Sequence, residues 1–284
     1  MKFLVFIILV AGGGYYYTQH YQKDANSGSS GGSTDTSSIL KEGGVNETRY
    51  KGLSKPDLVT QSVKDAKALQ YNLNSILENL DDNTGTKTKS EVDRFVKNYI
   101  KILGKAYTAA KGQDKTALKA IKLFVVGWYQ REAYNHEQIM KNINILKWST
   151  KGNLTDSQSS NRYALTELAK LTKQDSTYLS SFRNNIRSSR SKYSISNSEI
   201  RSYFDELVSS MDSLAVSGTS LNKSLSKLID KVYAYNSWVL RNFSSGNGTI
   251  NRGKWEALIR IVDEIKVAKT EFDREWAQYK AAYH

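Results

Sequence analysis

The chain has 284 residues, of which 39% are hydrophobic and 11% aromatic, with a formal charge of +13, one proline and no cysteine. The aromatic content excludes a fully disordered polymer, and the absence of cysteine excludes disulfides, thiolate nucleophiles and cysteine-held metals. The charge arises from 41 basic residues scattered among 28 acidic ones, so it is a general bias toward anionic partners and does not mark a site.

The first element is the run Phe3 to Ala11, preceded by Lys2 and followed by Gly12, Gly13 and Gly14. A positive start ahead of an apolar stretch matches a secretory signal. The run is short for a span, which needs about 20 residues. Tyr15, Tyr16 and Tyr17 would extend it to the interface, so residues 3–17 are also expected to serve as a membrane anchor if retained. Leu9-Val-Ala-Gly12 resembles a bacterial lipoprotein signal, but Gly13 stands where that signal has its lipidated cysteine. Lipidation there is chemically impossible, and those few residues imply nothing about the rest of the chain. Cleaved signal and retained anchor both stay open for residues 1–22.

Residues 23–51 read as a tether. From Asn26 to Ser38 the chain is almost entirely Ser, Gly and Thr, which offers no apolar surface to pack. Random-coil scaling gives such a segment a reach on the order of 30 Å.

From residue 52 to 284 apolar residues recur at spacings of three and four. The first helix follows Pro56, which suits a first helical turn, and runs through Val59, Val63, Leu69 and Leu73 to a stop at Asp81–Gly85. The second is expected from about Ser90 to Gly112, through Val92, Phe95 and Leu103. The third opens with Asp114 as N-cap and ends near Gly152, and the fourth runs from about Thr155 to Tyr193. Ser196 with Glu199 forms a capping box for the fifth. Its apolar count continues through Gly218, which predicts one helix over residues 198–244, kinked or straight. A last helix starts near Thr249. No segment alternates like a strand. The expectation is all-α: an elongated antiparallel bundle of about five to seven long helices behind the apolar segment and the flexible tether.

Chemistry-bearing residues are few. His136 is the one histidine in the helical body, and Glu132 lies four residues before it, on the same helical face. The pair interrupts the apolar seam between Trp128 and Ile139. It reads either as a general acid/base pair or half a metal site, or as a polar layer that sets helix register. Di-iron bundles need Glu and His three apart, and a zincin helix needs a histidine where Met140 stands, so both patterns fail and no metal or cofactor is expected. Gly248 to Lys254 matches most of a phosphate-binding loop, but Trp255 replaces the magnesium-binding hydroxyl and no strand precedes it.

Arg183, Arg187 and Arg190, with Lys192 beside them, form a basic stripe that would grip a polyanion or anionic lipid, or would be a solvated face. Lys97, Lys101 and Lys105 form a second. Sequons occur at Asn46, Asn153, Asn222, Asn242 and Asn247.

Four functions fit. The first is a non-enzymatic binding or structural module of the cell envelope, with its helical domain outside the cytoplasm and a protein partner there. The second is a membrane-active helical protein, a toxin or pore-former, for which Leu123 to Trp128 is the best segment. The third is a binder of nucleic acid or anionic lipid, although an export signal argues against a genomic role. The fourth is an enzyme built on Glu132 and His136.

Overall fold

The computed structural model describes residues 47–80, 85–150, 154, 158–243 and 251–283. The apolar run, most of the expected tether and residues 81–84, 151–153, 155–157 and 244–250 lie outside them. Among the described residues the fold is six α-helices and one short 3₁₀ turn: α1 Lys55–Glu78, α2 Gly85–Ala109, α3 Gly112–Ile145, α4 Gln158–Ser189, α5 Ser198–Phe243 and α6 Arg252–Ala281. The protein is the antiparallel all-α bundle that the spacing predicts.

Local chemistry starts and stops these helices. Ser54 caps α1, its hydroxyl accepting from Asp57 N at 3.3 Å, and Pro56 sits in the first turn. Helix α2 begins at Gly85, before the expected Ser90. Its opening turns carry Gly, Thr and Lys, so no apolar period reveals them. Helix α3 begins at Gly112, which has a φ of +52°, and Asp114 lies inside its first turn and is not its cap. The Asp114 carboxylate reaches the start of α5, accepting from Ser196 N and Ser196 Oγ at 2.7 Å each and from Asn197 N at 3.1 Å. With the Ser196 hydroxyl so engaged, the cap of α5 passes to Asn197, whose Oδ1 accepts from Glu199 N and Ile200 N at 3.0 Å. Asn251 caps α6 by accepting from Lys254 N.

Each successive pair of helices runs antiparallel. Lys89 reaches the ring of Tyr134 near one end of α2–α3, and Lys115 reaches Tyr107 near the other. Asp175 meets Arg131 while Phe182 meets Phe124 across α3–α4. Arg187 meets Asp212 and Asn161 meets Asn236 across α4–α5, and Lys227 and Lys231 meet Glu271 and Glu264 across α5–α6.

Helix α5 is the spine. Its 46 residues measure about 69 Å, so the bundle is elongated. It packs on α1 near Glu206, where Lys67 and Tyr71 pair with it, and on α6 farther along. Helices α1 and α6 therefore follow one another along α5, and their ends touch: Lys280 Nζ donates to Leu80 O at 3.2 Å.

The count through Gly218 is one unbroken helix, and glycine is there for space. A Cβ would stand 3.2 Å from Leu179 Cδ2 of α4 and 3.5 Å from Tyr279 Cε2 of α6, so both neighbours lean on bare backbone. Ahead of α1, Glu47–Tyr50 is the 3₁₀ turn, at the end of the stretch read as tether. It is held to the bundle by Tyr50 donating to Asp65 at 2.8 Å and by Lys105 pairing with Glu47 at 2.5 Å.

Candidate functional site

Trp128, Glu132 and His136 succeed one another at intervals of four on α3, and this face turns inward where α1 runs out and α6 arrives. Helix α6 brings Trp276 and Tyr279 to it, and Tyr283 follows just after the helix. Tyr279 donates its hydroxyl to Glu132 Oε2 at 2.5 Å. It also shares a 2.6 Å hydrogen bond with the Tyr283 hydroxyl, which accepts from Trp128 Nε1 at 3.1 Å. His136 is enclosed edge-on by the rings of Trp276 and Tyr279, with centroids 4.7 and 5.2 Å away.

One step around α3, Arg131 and Asn135 donate to Asp175 of α4 at 3.3 and 2.7 Å. The other Asp175 oxygen accepts from Asn222 of α5 at 3.1 Å. Arg131 also stacks on Tyr178, 4.1 Å from the ring centroid. The layer thus ties together α3, α4, α5 and α6. Tyr129 extends it to α1 by donating to Asn74 Oδ1.

Burial governs its electrostatics. Desolvation pushes the Glu132 carboxyl far above the usual carboxylate range, with the Asp175 charge adding to the shift and the Tyr279 hydrogen bond opposing it. Burial, helped by the nearby Lys280 charge, pushes His136 down to about 3. The pair lies 3.7 Å apart, but a neutral imidazole at that distance from Glu132 makes neither an ion pair nor a hydrogen bond at pH 7. Glu132 Oε1 and His136 Nδ1 have no partner among the described residues.

Glu132 and His136 are 4% and 3% exposed, so in this conformation a substrate in solvent has no access to them. The described residues hold no cluster of three His, Cys, Asp or Glu side chains fit for a metal. What the arrangement does is cross-link helices: one hydroxyl of α6 finds its acceptor at one depth along α3, which fixes register.

The basic stripe is only partly gathered. Arg183 and Arg187 converge on a single carboxylate of α5, their Nε atoms 2.9 and 3.1 Å from Asp212 Oδ1. Partial burial pulls the Asp212 carboxyl upward, but the hydrogen bonds from the two arginines outweigh it and hold it below its usual value. Arg190 and Lys192 lie past the end of α4, exposed. In the second stripe Lys105 pairs with Glu47, while Lys97 and Lys101 are exposed.

Sequence reasoning did not find Asp175, Asn222, Tyr279 or Tyr283 as members of the layer. Asp175 had a visible signal: it occupies a core position between Leu171 and Leu179. Asn222, a sequon residue, is buried with its amide donating to Asp175, so a glycan at that position is incompatible with the fold. Asn242 is half-buried and donates to Trp238 O, while Asn46, Asn153 and Asn247 lie outside the described residues.

The apolar stretch Leu123 to Trp128 is an ordinary part of α3, with Val125 and Trp128 buried and Leu123 facing solvent. No helix among the described residues is long and apolar enough to cross a membrane. Compared with known proteins, the chain matches no family model, no curated protein and no solved structure.

Proposed function

We propose that the protein is a non-enzymatic binding or structural module of the cell envelope, held at the membrane or exported through its N-terminal segment, with its helical bundle outside the cytoplasm. The observation that carries this reading is the order of segments: a charged and apolar start, then a Ser/Gly/Thr stretch, then a long bundle. The enclosure of Glu132 and His136 favours a register-setting layer over a catalytic pair, because a general acid or base must come within hydrogen-bond reach of its substrate. Helices tens of ångströms long offer broad, rigid surfaces to a partner, and a Ser/Gly/Thr-rich composition suits a link between such a surface and the membrane.

The test is to fractionate cells that make the full chain and to cross-link the envelope fraction. The reading expects the protein in that fraction, accessible to protease added outside the cytoplasmic membrane, and joined to a discrete partner. Recovery of the full-length chain among cytosolic proteins would refute it.

A further inference from the structure

Charge is unevenly divided among the long helices. Between Arg252 and Ala281, α6 alternates seven basic with six acidic residues, and α5 carries five of each. The segment 158–192, comprising α4 and the turn after it, has seven basic residues and two acidic ones. One of those acids, Asp175, is buried against Arg131 and Asn135 and presents no charge to solvent. The other, Glu167, lies 3.8 Å from Lys170.

The helical period brings the basic residues of α4 to one side. At about 100° per residue, Arg162, Lys170, Lys173, Arg183 and Arg187 fall within an arc of about 140°, away from the residues that meet α3. Arg183 and Arg187 share one carboxylate, so that trio keeps a net positive charge. Arg162, Lys173, Arg190 and Lys192 are exposed and have no carboxylate partner among the described residues. The result is a row of positive charge about 38 Å long on the helix, from Arg162 to Arg187 at 1.5 Å per residue, continued by Arg190 and Lys192 in the turn after it.

We infer that this outer face of α4 docks a linear, phosphate-bearing polymer of the cell envelope. A row of cations at spacings near a Debye length suits a chain of anions better than a single compact one. The exposed guanidinium groups of Arg162 and Arg190, which hold no carboxylate among the described residues, can add bidentate phosphate contacts. Nucleic acid is the less suitable occupant. Single strands are held by aromatic side chains on which bases stack, and the exposed surface of α4 carries one such residue, Tyr163, among Ser, Thr and Asn. The choice of an envelope polymer rests on the proposed location; the docking face itself does not.

The experiment uses the full chain in non-ionic detergent, with fluorescently labelled inorganic polyphosphate as the probe and anisotropy as the readout. Two quadruple variants each lower the formal charge by four. One changes Arg162 and Lys173 of α4 and Arg190 and Lys192 of the turn after it to Gln; the other changes the exposed Arg252, Lys254, Arg260 and Lys266 of α6 to Gln. Circular dichroism verifies that both remain helical.

The α4 variant is expected to bind at least tenfold more weakly and with a shallower salt dependence, and the α6 variant to stay within threefold of the parent. Equal weakening by both variants would overturn the inference, because the attraction would then follow net charge and not position. So would an absence of binding at low salt, or tighter binding of single-stranded DNA of matched length than of polyphosphate. Cell fractionation is a separate readout: a cytosolic protein with an intact α4 effect would overturn the envelope source and leave the binding face standing.

Discussion

Tyr279→Phe removes one oxygen from the centre of the polar layer and leaves the ring in place against His136 and Trp276. Glu132 Oε1 already lacks a partner, and the Tyr279 hydroxyl is the hydrogen-bond donor to Oε2. The substitution therefore strands a whole buried carboxyl, which costs about 1–3 kcal/mol. It also removes one bond from Tyr283, about 0.5–1.5 kcal/mol, although Tyr283 keeps Trp128 Nε1. The expected loss is about 3 kcal/mol, a fall in Tm of roughly 6–12 °C for a body of this size. Urea unfolding followed by circular dichroism measures it, and an unchanged denaturant slope would show that the native state stays compact. Glu132→Leu in the same background removes the stranded acceptor, so the double variant should recover much of the loss. A Tyr279→Phe protein within about 0.5 kcal/mol of the parent, or a double variant less stable than the single one, would refute the layer's role.

Three further outcomes follow from the same geometry. His136, lowered to about 3 from an ordinary 6.5, contributes stability that is complete above pH 6.5 and lost as the pH falls toward 3; parallel thermal melts of the parent and His136→Phe should converge on acidification. Glu132 has the opposite sign: its raised pKa gives stability that is complete below about pH 4.5 and lost as the pH climbs, so Glu132→Leu should flatten the alkaline limb of the same melts. Gly218→Val would drive a branched side chain into Leu179 and Tyr279, and urea unfolding should show a loss of about 1–3 kcal/mol beyond any gain in helix propensity.

The bundle was legible because its core repeats at the helical period for most of the chain, and because Gly218 interrupts the composition without interrupting the apolar count. Helix ends were less legible where a partner distant in sequence sets them. Asp114 looks like a cap for its own helix, yet its carboxylate orders the start of α5, 82 residues later. Glu132 and His136 stand out in the sequence as a polar break in an apolar seam. That Glu132 is answered by Tyr279, 147 residues away, and that burial shifts both members toward their neutral forms, depends on depth of burial and on which helix arrives there. Spacing shows that Arg183 and Arg187 share a helix face, but only the packing of α5 shows that one aspartate holds both.

The location of the bundle can be measured directly because the chain has no cysteine of its own. Val267→Cys places a single thiol on the outer surface of α6, at a position 70% exposed. Treating intact cells with a maleimide that does not cross the cytoplasmic membrane should label this variant as fully as treating lysed cells. Labelling only after lysis would place the helices inside the cytoplasm and contradict an envelope role.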